Sequence, residues 1–203
     1  MIATPAFHSV PTSAQVARPL HASTTLRAAP GGVAVARIGL RTSFGSPLVL
    51  AVAARRGAWA GVLSPALRNG KLGWVPVRDV RLEPVAYAVV VDLARHVLVV
   101  ERAGRALRSM TVGVGSPLSP TPTGRFAVTD KLAGNAVYGC CILALSGHQT
   151  RPPPGWQGGT RLAIHGGATG GATSAGCLQL DESDLRYLMR VVPLGTIVTV
   201  RSK

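Results

Sequence analysis

His165 and Cys177 stand at the two ends of a glycine-rich segment, LAIHGGATGGATSAGCLQL, that runs from Leu162 to Leu180. A free cysteine, with a pKa of about 8.5, is only a few per cent thiolate near neutral pH. As a nucleophile it needs an imidazole or a field of backbone amides beside it. His165 closes the apolar run RLAI, which puts its ring at a strand end next to Gly166 and Gly167, where missing Cβ atoms let a ligand approach. Cys177 follows Ser174, Ala175 and Gly176. The N–H groups of Ala175, Gly176 and Cys177 are placed to converge on the oxygen of a carbonyl under thiol attack, an oxyanion hole made of backbone alone. Glycines at 166, 167, 170 and 171 let the loop bring the two ends together. Spacing alone nevertheless favours a plainer alternative, a hydrogen-bonded surface imidazole and a buried inert thiol.

The elements that must position these residues fall into three stretches. Residues 1–22 have prolines at 5, 11 and 19 and no sustained period, and are expected to form a flexible leader. Residues 23–83 carry short apolar runs broken by Gly-Ser, Asn-Gly and Pro signals, the pattern of a small antiparallel β barrel with Trp59 and Trp74 in its core or on one face. Within it, SPLVLAVAA is too short to span a bilayer and reads as a buried strand. Residues 84–203 form a second unit, mainly β. Valine-rich strands occupy AYAVVVDLARHVLVV, a hairpin break falls at ERAGR, and YGCCILAL, RLAI and GTIVTVRS read as further strands. One helix is predicted over 181–192, capped by Asp181 with Asp184 three residues on, and ended by Pro193 and Gly195.

The formal charge of +14, from 22 basic against 8 acidic residues, favours polyanionic surroundings such as anionic wall polymers, membrane surface or nucleic acid. The arginines are scattered and aromatics make up 4% of the chain, which argues against nucleic acid. Cys140, Cys141 and Cys177 give an odd count with an adjacent pair, which does not read as a disulfide framework. As neighbours on a strand, Cys140 and Cys141 are expected to face opposite sides. No CxxC or HExxH pattern suggests a metal site, and the first twenty residues lack the basic and apolar regions of a secretory signal.

Taken in order, VVVDLARHVLVVERAG, VGVGSPLSPTPTGRF, YGCCILALSGH, the IHG segment, the SxGC segment and GTIVTV resemble the catalytic domain of the L,D-transpeptidases, cysteine enzymes that cross-link bacterial peptidoglycan. The preceding GKLGWVPVRDVRL is similar to the small SH3-like module found before this domain in some actinobacterial members. The resemblance implies a mainly β, β-sandwich-like catalytic domain with one clear helix, preceded by a small SH3-like β barrel. It implies Cys177 as nucleophile, His165 as base, the Gly166 carbonyl as the group that orients the imidazole, and amides of Ala175 to Cys177 around the oxyanion.

A peptidoglycan stem tetrapeptide would be cleaved before its terminal D-alanine to give a thioester, which an amine of a second stem resolves into a 3-3 cross-link. Carbapenems would acylate the same cysteine, and no metal or organic cofactor is implied. Tyr138, His148, Ser174 and Gln179 are the expected substrate-binding residues, with Trp156 as a lid. The chain departs from the family pattern at Ala175, where a histidine is usual, at Gln179, where Arg or Asn is usual, and in a shorter loop before Cys177. Two alternatives are an L,D-carboxypeptidase using the same site and a catalytically degenerate wall-binding protein. The family places such a protein outside the cytoplasm at the cell wall, expected here as a monomer with no transmembrane segment.

Overall fold

Runs of β-branched residues set the architecture. In Tyr87–Asp92 every residue after the first is buried, the mark of a strand covered on both faces. The computed structural model describes residues 14–202, and across them it is a mainly β protein with a single α helix.

The N-terminal unit contains β1 (Gln15–Pro19), β2 (Thr24–Arg27), β3 (Ala34–Ile38), β4 (Leu50–Arg56), β5 (Trp59–Leu63), β6 (Gly73–Pro76) and β7 (Val80–Pro84). They form one antiparallel sheet in the order β3-β2-β6-β5-β4-β1-β7. Ala17, Leu26, Leu50, Val62, Val75 and Val80 come from strands right across this sheet yet share one core, so the sheet curls on itself. Trp74 is buried in it, whereas Trp59 is only half-buried. The expectation of a flexible leader over 1–22 fails for its last part. Gln15–Pro19 is a central strand held between β4 and β7, with Val16 and Ala17 buried, and tertiary pairing outweighs the nearby prolines. Residues 1–13 of that stretch lie outside the described residues.

The second unit contains β8 (Tyr87–Asp92), β9 (Val97–Arg102), β10 (Arg105–Thr111), β11 (Val114–Gly115), β12 (Gly124–Asn135), β13 (Gly139–His148), β14 (Arg161–Gly166), β15 (Ala172–Ser174), β16 (Leu178–Leu180), α1 (Glu182–Val191) and β17 (Ile197–Arg201). The break at ERAGR is a tight hairpin with Ala103 and Gly104 both at positive φ, as a two-residue turn between twisted strands requires. Eight strands join in the order β10-β9-β8-β17-β12-β13-β14-β16. The long β12 pairs with β17 through Gly124–Ala127 and with β13 from Val128 onward, and a bulge after Val128 turns one layer into the next. Val89, Leu98, Phe126, Leu143, Ile164, Leu178, Leu185 and Val198 pack between the layers, giving the sandwich-like core. Helix α1 closes it, with the Asp181 carboxylate accepting from the Asp184 N–H at 2.9 Å.

The two units are welded together. Ala51 and Leu63 pack with Ala127 and Ile197, and the Asn69 amide exchanges two hydrogen bonds with the His148 backbone. Cys140 and Cys141 are joined to each other as a vicinal disulfide, contrary to the sequence expectation. The regular pleat that would send them to opposite sides is broken here: Gly139 adopts φ +75, and the Cys140 N–H donates to the Glu182 carboxylate. Cys177 is left as the free thiol.

Candidate active site

Strand register assembles the site. Leu132 lies opposite Ile142, Ile142 opposite His165, and His165 opposite Gln179, so these four side chains form a row across β12, β13, β14 and β16 on one face. Their sequence neighbours Leu143, Ile164, Leu178 and Leu180 point the other way into the core. Cys177 precedes Leu178, the partner of Ile164, and arrives on the same side. A cavity of about 440 Å³ opens over this face, with His165, Cys177, Tyr138, Ser174, Ala175 and Gln179 in its wall. That volume is in the range of sites for small ligands.

His165 is buried, and its Nδ1 lies 2.8 Å from the Gly166 carbonyl, which can only accept. Nδ1 therefore carries the proton and Nε2 is left as the basic nitrogen. The Tyr138 ring meets the imidazole edge-on at 4.9 Å, and the Tyr138 carbonyl accepts the Gly166 N–H. Burial pushes the His165 pKa down, partly offset by the Gly166 carbonyl. Burial pushes the Cys177 thiol up, partly offset by a backbone hydrogen bond at Ala163. Both shifts favour a neutral thiol beside a neutral imidazole rather than an ion pair.

The loop from Ser174 to Cys177 is tied down on three sides. Ser174 Oγ donates to the Cys177 carbonyl at 2.6 Å and accepts the Gly176 N–H at 3.0 Å, closing a tight turn. The Gly176 amide expected in the oxyanion hole is thus taken by Ser174. The N–H groups of Ala175 and Cys177 have no acceptor among the described residues. Gly176 adopts φ +113 against the Gln149 side chain. Gln149 Nε2 in turn donates to the Ala175 carbonyl at 2.8 Å and reaches the Ser119 and Pro120 carbonyls at 3.3 Å. Behind the loop, the SPLSPTPTG stretch acts as a brace: Thr121 Oγ1 accepts the Gly115 N–H, and the Ser116 N–H donates to the Ser174 carbonyl.

His148 is not in the cavity wall. Its Nε2 donates to the Pro65 carbonyl of the N-terminal unit at 2.8 Å and its Nδ1 meets Thr160 Oγ1, because alternation along β13 turns it toward the neighbouring unit. The adjacent Gln149 reaches the site instead, and following that alternation one residue further would have found it. Trp156 lines the cavity with its indole N–H held by the Gly159 carbonyl. Phe44 and Arg161 also line it. Neither carried a sequence signal, since Phe44 belongs to the other unit. Among the described residues no three His, Cys, Asp or Glu side chains cluster as a metal site, and no helix is long and apolar enough to cross a membrane.

A family model of the L,D-transpeptidase catalytic domain, YkuD, matches residues 86–200. The chain belongs to this family. It is 26% identical over 121 residues to the putative L,D-transpeptidase YkuD of Bacillus subtilis, a match covering 57% of this chain and 66% of that protein. The putative L,D-transpeptidase YkuD of Bacillus licheniformis is 25% identical over 123 residues, covering 58% of this chain and 67% of that one. The matches thus span about two thirds of these relatives. Among solved structures, the L,D-transpeptidase from Mycobacterium smegmatis aligns with 93% of this chain and 99% of its own, at 16% identity and a TM-score of 0.49. Mycobacterium tuberculosis L,D-transpeptidase 1 aligns with 64% of this chain and 77% of its own, at 22% identity and a TM-score of 0.43.

Proposed function

We propose that this protein is a peptidoglycan L,D-transpeptidase that works through a thioester on Cys177. The observation that carries the reading is the pairing, in one cavity, of the free thiol with an imidazole whose Nδ1 is committed to Gly166, next to two unclaimed amides. Cys177 Sγ attacks the carbonyl of the diamino acid in a donor stem as His165 Nε2 takes the thiol proton. The Ala175 and Cys177 amides hold the oxyanion. The C–N bond to the terminal D-alanine breaks, and the imidazolium returns the proton to the departing amine. An amine of a second stem then attacks the thioester and loses its proton to His165, the C–S bond breaks as the new 3-3 amide forms, and the imidazolium returns the proton to Cys177 Sγ. Such a reaction places the protein at the cell wall, where its positive charge suits anionic wall polymers.

The test incubates the full chain and Cys177→Ala with donor and acceptor stems and with a carbapenem, and reads products and intact mass. A 3-3 linked dimer and a single carbapenem adduct, both lost in Cys177→Ala, are the expected results. Cleavage without a dimer when acceptor is present would make the protein a carboxypeptidase. No adduct at any pH would leave only wall binding.

A further inference from the structure

The cavity over Cys177 runs along β14 to a second polar group. Arg161, Ala163 and His165 lie on the same face of that strand, and Arg161 lines the same cavity. Among the described residues in the cavity wall it is the only one with a permanent charge; the others are apolar, neutral polar, or the thiol and imidazole themselves.

Its guanidinium is held in place. Nε donates to the Leu145 carbonyl at 2.8 Å and Nη2 to Thr129 Oγ1 at 2.7 Å, while Nη1 has no acceptor among the described residues. The Phe44 ring of the N-terminal unit covers it, with its centroid 5.6 Å from Cζ. The loop carrying Phe44 is anchored to the catalytic unit by a hydrogen bond from Thr42 Oγ1 to Asp130 Oδ1. Asp130 is wholly buried, and its charge helps keep Arg161 protonated against the burial that pushes its pKa down, but no hydrogen bond or ion pair joins the two among the described residues and Nη1 stays available to a ligand. A single pre-positioned cation in an otherwise neutral cavity is a device for orienting an anionic group.

We infer that Arg161, clamped under Phe44 of the N-terminal unit, recognises a free carboxylate of the donor stem peptide and so sets donor specificity. The inference rests on the transpeptidase reading above. Cys177 lies against the Ala163 backbone, two residues of strand or about 7 Å from Arg161, and the three donor residues before the scissile bond span at most about 10–11 Å when extended. A donor with its scissile carbonyl at Cys177 therefore reaches the guanidinium with the residues before the scissile bond. Two carboxylates lie there, on the acidic second residue and on the diamino acid itself. The N-terminal unit in this arrangement is one wall of the substrate site rather than an appended wall anchor.

The test measures binding rather than turnover. In the Cys177→Ala full chain, calorimetry follows a synthetic stem tetrapeptide with both carboxylates free and two versions amidated at one or the other. Arg161→Gln is expected to weaken the free peptide at least tenfold. One amidated peptide, the same for both proteins, should bind weakly and lose its dependence on Arg161, which identifies the carboxylate. Phe44→Ala, which leaves the guanidinium hydrogen bonds in place, should reduce the same discrimination about threefold and guards against misfolding of the Arg161 variant. Equal weakening of all three peptides, or none, overturns the role of Arg161 while leaving the transpeptidase reading intact. If no tetrapeptide binds the parent, that reading falls and takes this inference with it.

Discussion

Replacing Gly176 by alanine tests the loop that positions the Cys177 thiol. Gly176 has φ +113, and a Cβ built on it collides with Gln149 Nε2. Holding alanine in so sparsely populated a region costs about 1–3 kcal/mol. Displacing Gln149 weakens its bonds to the Ala175 and Ser119 carbonyls, about 1 kcal/mol net each. The sum, about 3–5 kcal/mol, lowers the melting midpoint by roughly 6–20 °C for a chain of this size. Because the same turn aims the Ala175 and Cys177 amides, and one oxyanion donor is worth about 10²–10³ in rate, acylation of Cys177 by a carbapenem should slow at least ~100-fold. Intact-mass kinetics and thermal unfolding read the two effects separately. Gly171→Ala is the control, since it has no positive φ and its Cβ would lie 3.8 Å from Thr173, an ordinary contact. A cycle with Gln149→Ala should show coupling of about 0.5–3 kcal/mol, because the collision disappears when Gln149 is shortened. Parent-like acylation in Gly176→Ala, or strict additivity in the cycle, would refute the reasoning.

Since burial raises the Cys177 pKa, alkylation by iodoacetamide should keep accelerating past pH 9, and a plateau by pH 8 would contradict the neutral-pair assignment. Since burial lowers the His165 pKa, the base stays unprotonated to more acidic pH than a free imidazole, and the acid limb of carbapenem acylation should have its midpoint below 6.5. Asn69→Ala removes both hydrogen bonds to the His148 backbone and should cost about 1–3 kcal/mol in urea unfolding, with acylation per folded molecule unchanged. Asp181→Ala removes the cap of α1 and should cost about 0.5–2 kcal/mol by the same measurement.

Local signals were legible because local physics decides them. Valine runs gave β8 and β9, the Ala-Gly pair gave the hairpin, and Asp181 gave the start of α1. What escaped depends on pairing across long stretches of chain. β1 has little pattern of its own and exists because β4 and β7 flank it. His148 and Gln149 differ by one step of strand alternation, which decides whether a side chain meets Pro65 or the Ala175 carbonyl. Phe44 reaches Arg161 only through the docking of two units, and no local spacing encodes that contact. The Cys140–Cys141 bond likewise follows from a hairpin that leaves the pleat at Gly139.

The direction of both shifts, away from an ion pair, also bears on alanine at 175. A thiol kept from ionising by burial offers little preformed thiolate, so proton transfer to His165 must accompany attack. The charge then appears mainly on the carbonyl oxygen, and on the proposed reading its stabilisation falls to the Ala175 and Cys177 amides. Those are backbone groups, indifferent to the side chain at 175. Their aim is fixed by Ser174 inside the turn and by Gln149 outside it. Alanine at 175 therefore removes a ring without removing a donor, and the demand on precision moves to Gly176 and Gln149. Ala175→His should on this account change acylation less than tenfold, whereas Gln149→Ala should slow it more than that.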